Sequence, residues 1–188
     1  MNETTLGTAR AHYYQVNGFG SDGGDALAWV PLKLWKLTLK IPNTEGRRKA
    51  VRIHDLHHVV TGYQTSWTGE SEIAAWELAS GCRQSTAATV LNLGGLAIGI
   101  VVAPIKVARA WARGRNTTNL YDQAGVDHLL PRTVDAMRAE LGLDKPAPPT
   151  RVRDVAGMLA VAVPTLAVMA TVTLAPVVGL VALIRALV

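Results

Sequence analysis

From Val155 to Ile184 the chain carries no charged side chain. A helix crosses a lipid bilayer with about twenty apolar residues. This stretch exceeds that length, so residues 154–188 are expected to form an apolar, membrane-associating segment. Pro164 and Pro176 divide it into three short pieces, which leaves a kinked span and a re-entrant hairpin both open. Arg151 and Arg153 precede it. The tendency of basic flanks to stay inside places that end on the cytoplasmic face, or on the matrix face of an organelle membrane. Just upstream, "KPAPPTR" reads as a Pro-rich linker over 146–153.

The remainder is long enough for one domain with this appendage, since the whole chain has 188 residues. Its net charge of +5 suits an anionic lipid surface, because several basic residues flank the apolar segments. No nucleic-acid partner is expected: the basic residues do not alternate with aromatics in any recognisable module. One cysteine, Cys82, excludes an intrachain disulfide framework and any multi-cysteine zinc site.

Residues 1–25 are polar and Gly-rich and read as a flexible N-terminal arm. Gly18, Gly20 and Gly23 match G-x-G-x-x-G, but no alternation of strands and helices follows to make this a dinucleotide site. In "ALAWVPLKLWKLTLKIPN", Lys33, Lys36 and Lys40 recur at three- and four-residue spacing. That periodicity predicts a helix, either an ordinary amphipathic one lying on the core, the preferred reading, or one anchored at a lipid interface by Trp29 and Trp35. "RRKAVRIHDLHHVVTG" predicts a helix stopped by Gly62. Thr68 is the expected cap of a second helix, which holds Glu70 in its first turn and ends near Gly81. A third runs from Thr86 to Arg115, where Gly94, Gly95 and Gly99 leave a groove for an isoprenoid chain or a partner helix, or else let it pack as a buried core helix. "RTVDAMRAELG" is a short helix with Pro131 near its start and Gly142 closing it. The expected fold is therefore all-α, a compact helical domain over 26–145.

The chemistry gathers in "HDLHHVVTGYQTSWTGE". Residues four apart share one helix face, so His54 and His58 point the same way. Asp55 is about 100° round the helix from His54, within reach of a flexible carboxylate. Glu70 arrives from the next helix. Two imidazoles and two carboxylates then converge on one point. That set suits a divalent metal, with Zn²⁺ favoured and Fe²⁺ or Mn²⁺ also admitted. Burying so many ionisable groups is costly unless they are paired or metallated. His57 points to a neighbouring face; it is expected at the surface, with a hydrogen-bonding role behind the ligands as the alternative.

His54, Asp55, His58 and Glu70 in the order His-Asp-x-x-His, eleven residues, Glu resemble the signature of the Coq-four family of coenzyme Q (ubiquinone) biosynthesis proteins. "TGESEIAAWELASG" resembles the opening of that family's next helix, and "VDAMRAELGLDKPAP" its short closing helix. The resemblance implies a divalent metal on His54, Asp55, His58 and Glu70, the same four residues forming the catalytic set. It implies a pocket for a prenylated quinone precursor or isoprenoid lipid, work at a membrane, and association with a biosynthetic enzyme complex or in a homo-oligomer. The expected activity is oxidative decarboxylation of a prenylated hydroxybenzoate. The alternative is a non-catalytic protein that binds quinone or isoprenoid lipid, or acts as a scaffold, with a structural metal. "HD" also opens the motif of metal-dependent phosphohydrolases. That class needs a further His upstream and Asp downstream, and His12, Asp122 and Asp127 sit in weak contexts for it.

Overall fold

The computed structural model describes residues 4–34, 37–123 and 125–187. Among them are seven α-helices and one two-stranded hairpin, in the order α1 (Leu6–Asn17), β1 (Trp29–Leu34), β2 (Leu37–Pro42), α2 (Glu45–Thr61), α3 (Trp67–Ser80), α4 (Thr86–Val102), α5 (Pro104–Gly114), α6 (Val134–Leu141) and α7 (Val152–Leu187). The fold is all-α in its core, as the sequence predicts.

α3 lies at the centre, packed on α4 and α5. Trp76 of α3 is fully buried, and its indole N–H donates to the Thr117 hydroxyl at 2.9 Å. Small residues set the helix spacing. A Cβ at Gly95 would meet that of Ala74 at 2.8 Å, and one at Gly99 would meet that of Ser71 at 2.7 Å. At Gly95 and Gly99 the helix is thus packed against α3 as a core helix, and Gly95 also borders a cavity. The long third helix is in fact two. Ala103 leaves helical geometry with φ −151° and ψ 53°, because the residue before a proline avoids the helical region, and Pro104 then opens α5.

Two other expectations are corrected. The N-terminal arm is not loose. Thr5 caps α1 by accepting from the Thr8 N–H, and Leu6 and Tyr14 are buried. Leu6 N–H donates to Arg132 O at 2.8 Å, and Val134 N–H donates to Thr4 O at 3.0 Å. These bonds tie the arm to the segment before α6. "GFGSDG" is the turn after α1, with positive φ at Gly18, Gly20 and Gly23. It follows a helix, so the dinucleotide geometry is absent here.

Residues 29–42 form an antiparallel hairpin rather than a helix. Aliphatic pairs alternate along it: Val30 opposite Ile41, Leu32 opposite Leu39, Leu34 opposite Leu37. Period-two patterning of this kind favours strands. Trp29 is exposed at the start of β1. Trp35 and Lys36 lie outside the described residues. Smaller shifts concern caps: Ser66, not Thr68, caps α3, and Thr133 caps α6 with Pro131 in the preceding turn.

α7 runs unbroken through Pro164 and Pro176 for 36 residues, which settles the choice against a hairpin among the described residues. Each proline forfeits one backbone hydrogen bond, and the flanking apolar helix keeps the rest. Its first turns belong to the core: Asp154, Met158 and Ala162 are buried. Further on, Val163, Val168, Val172 and Leu174 are exposed. The 25 residues from Val152 to Pro176 are long and apolar enough to cross a membrane, spanning about 37 Å at roughly 1.5 Å per residue. Thr165 and Thr171 donate their hydroxyls to the carbonyls of Val161 and Ala167, so no hydroxyl of this pair faces outward unbonded. Truncation after Thr165 is expected to release the protein from lipid vesicles in a flotation assay while leaving its melting temperature within a few degrees. Full flotation of the truncated chain would show that α7 is not the anchor.

Candidate metal centre

The last turns of α2 and the first turn of α3 face each other across a short loop. α2 stops where Gly62 adopts left-handed geometry and donates its N–H to His58 O. Two guanidinium groups bind its final carbonyls: Arg138 Nη1 donates to Val60 O at 2.6 Å and Arg113 Nη1 to Thr61 O at 3.2 Å. Cations there complement the helix dipole. Ser66 then caps α3 by accepting from Gly69 N–H at 3.2 Å. The loop folds so closely over Gly69 that a Cβ there would lie 2.0 Å from Gln64 O. Glycine before the acid is therefore a steric requirement, and it brings Glu70 back over α2.

His54, His58 and Glu70 meet. Their ligating atoms all lie within 4.8 Å of one another. The two Nε2 atoms are 3.2 Å apart. Glu70 Oε2 is 3.3 Å from His54 Nε2, and Glu70 Oε1 is 3.4 Å from His58 Nε2. What each imidazole does on its far side decides what these atoms offer. His58 Nδ1 sits 2.8 Å from Tyr63 O, and a carbonyl accepts only, so Nδ1 carries the proton. His54 Nδ1 sits 2.8 Å from Glu77 Oε1 and donates likewise. Both Nε2 atoms then present lone pairs, and Glu70 adds a carboxylate. Three acceptors around one point need a cation between them, either a proton or a metal. Burial disfavours a charged His54, but Glu77 and Glu70 outweigh it and hold its pKa well above the usual imidazole value. Burial likewise opposes charge on Glu70, yet its bonds to His54 and His58 pull it down to about 2. These three residues are able to hold a metal ion.

Glu77, which the motif does not contain, organises this arrangement. It is fully buried and takes four donors. Oε1 accepts from His54 Nδ1 and, at 2.6 Å, from His57 Nδ1. Oε2 accepts from Asn92 Nδ2 at 2.5 Å and from the Tyr121 hydroxyl at 2.8 Å. Burial alone would raise its pKa, but His54 and His57 hold it well below the carboxylate range. A carboxylate behind a metal-binding histidine fixes the ring and raises its basicity.

His57 is completely buried, not at the surface, and takes the alternative role behind the ligands. Its Nδ1 donates to Glu77, and its Nε2 accepts from Leu120 N–H at 3.0 Å. Burial lowers its pKa, consistent with the neutral form those two bonds require. Asp55, the fourth residue of the motif, stands outside the ligand group. Its Oδ2 accepts from the Tyr14 hydroxyl at 2.9 Å, and burial raises its pKa against the pull of His54. The structure thus brings three of the four motif residues together and gives the fourth to α1. Tyr13, on the same helix, stacks on the His58 ring at 5.3 Å.

A cavity of about 550 Å³ opens beside His54 and Glu70 and counts Tyr13 and Asp55 among its lining. Leu27, Val30, Val51 and Leu91 give it apolar walls. Comparison with protein-family models, curated proteins and solved structures returns no match to this chain.

Proposed function

We propose that this chain is a metal-dependent, membrane-associated protein of coenzyme Q (ubiquinone) biosynthesis, whose cavity receives a prenylated hydroxybenzoate precursor. The observation that carries the reading is the three-acceptor cage of His54, His58 and Glu70 opening onto an apolar cavity. Its support beyond geometry is the His-Asp-x-x-His-x11-Glu pattern. A bound divalent ion, with Zn²⁺ favoured and Fe²⁺ or Mn²⁺ admitted by the same donors, would act as a Lewis acid on an oxygen of the ligand.

The chain's own residues do the rest. Glu77 and Tyr63 O hold the two imidazoles with their lone pairs inward. Glu70 supplies the negative charge. Leu27, Val30 and Leu91 offer apolar surface to an aliphatic chain. Three protein ligands are the number typical of catalytic sites, which keep a coordination position open. A membrane-inserted α7 would tether the domain to the phase in which a prenylated substrate dissolves.

The test is release of labelled carbon dioxide from a carboxyl-labelled geranyl-hydroxybenzoate by the metal-loaded protein in detergent, under air. Release that disappears in His58→Ala is the expected result. Tight binding with no release by the native chain would replace the enzyme with the carrier or scaffold reading.

A further inference from the structure

Seven residues before His54, α2 carries Arg47. Seven residues are two helical turns, so Arg47 and His54 share one face, about 10 Å apart along the axis. Ala50 and Val51 lie between them, and all four residues line the same cavity. The two polar ends of this floor differ in kind. One is the cage of acceptors that needs a cation. The other is a guanidinium.

Arg47 is held but not neutralised. Its Nη1 donates to Asn43 Oδ1 at 2.8 Å. Asn43 is itself buried and anchored by donating its amide to the carbonyls of Gly24 and Leu27. Arg47 Nε is buried with no hydrogen-bond partner. Asp55 is the acid in the wall whose charge reaches Arg47, and its Oδ2 is taken by Tyr14. No ion pair to Arg47 forms among the described residues, whereas Arg52 is paired with Asp25 and Lys49 with Glu45. A half-buried guanidinium with no ion pair among the described residues, in the wall of an apolar cavity, has the chemistry of an anion anchor.

We propose that Arg47 binds the carboxylate of a ligand whose flat apolar body lies over Ala50 and Val51 and whose second oxygen reaches the His54–His58–Glu70 cage. A planar guanidinium fork matches a carboxylate in two parallel bonds, which a lysine does not reproduce. The ligand class is an aromatic acid bearing an oxygen substituent remote from the carboxyl, with an aliphatic chain toward Leu27 and Leu91. This deepens the proposed function and rests on its reading of the cavity as the seat of a prenylated aromatic acid. Arg47 is here a specificity-determining residue.

Binding alone tests it, with the full chain in detergent micelles and titration calorimetry against geranyl-hydroxybenzoate, the matching geranyl-phenol, and geranyl monophosphate. The native protein is expected to prefer the acid over the phenol by about ten- to a hundredfold, the range of a charge-assisted hydrogen bond. Arg47→Gln should erase that preference by weakening the acid far more than the phenol, and Arg47→Lys should keep part of it. Equal affinity of the native chain for acid and phenol would overturn the proposal. So would a preference that survives Arg47→Gln, or tightest binding of the monophosphate. Should Arg47→Gln not fold by circular dichroism, Val51→Glu takes its place. That variant sets a like charge beside the anion and should weaken the acid more than the phenol. Failure of carbon dioxide release with the acid preference intact would end the enzyme reading and leave this subsite standing.

Discussion

Glu77→Gln is expected to destabilise the protein by about 3 kcal/mol or more, the cost of breaking a buried charged network by altering one partner. The reason is a count of donors. His54, His57, Asn92 and Tyr121 all donate to this one side chain. A glutamine amide replaces two acceptor positions with two further donors. Whichever way it is turned, an N–H₂ group faces either the two imidazole N–H groups or the pair from Asn92 and Tyr121. Because the residue has no access to solvent, water does not repair the mismatch. Urea denaturation of the metal-free protein in detergent is the measurement, with the midpoint shift at constant slope as the readout. A loss below about 1 kcal/mol, the worth of one neutral hydrogen bond, would mean that the carboxylate is not the ionised hub described here.

That hub also marks the limit of what the sequence discloses. α2 and its stop at Gly62, and the end of α3 at Gly81, are legible because apolar period and caps are local signals. Glu77 left a trace: it lies seven residues after Glu70, on the stripe that holds Ile73 and Ala74 in the core. A lone acid on a buried stripe needs partners, but nothing local names them. His57 is opaque for the same reason. Its Nε2 accepts from Leu120, 63 residues away. Asp55 is read as a ligand from spacing, while its hydroxyl partner Tyr14 lies 41 residues upstream. The hairpin is a different kind of miss. Lys33, Lys36 and Lys40 imitate a helical period. The aliphatic residues instead alternate as Val30, Leu32, Leu34 and then, in the opposite phase, Leu37, Leu39, Ile41. A change of phase between two period-two runs is what a hairpin turn produces.

The ligand set makes the second large prediction. The native chain purified with Zn²⁺ should carry close to one ion, and His58→Ala should lose it, with affinity falling by at least a hundredfold. Outer partners of a metal site are worth ten- to a hundredfold, and a direct ligand is worth more. His58 is the sharper choice than Glu70. It is nearly fully buried and aligned by Tyr63 O, so no neighbouring water substitutes for it in place. Asp55→Asn is the discriminating control. The spacing of the motif makes Asp55 a ligand, in which case this variant loses metal as His58→Ala does. The structure commits its Oδ2 to Tyr14, so Asp55→Asn should retain the ion and lose stability instead, through a weakened bond between α1 and α2. Elemental analysis of the three proteins after dialysis decides it. Equal metal loss in both variants would restore Asp55 to the first coordination sphere and require the Tyr14 bond to break on metal binding. Equal metal content in the native chain and His58→Ala would remove the cage as a metal site altogether.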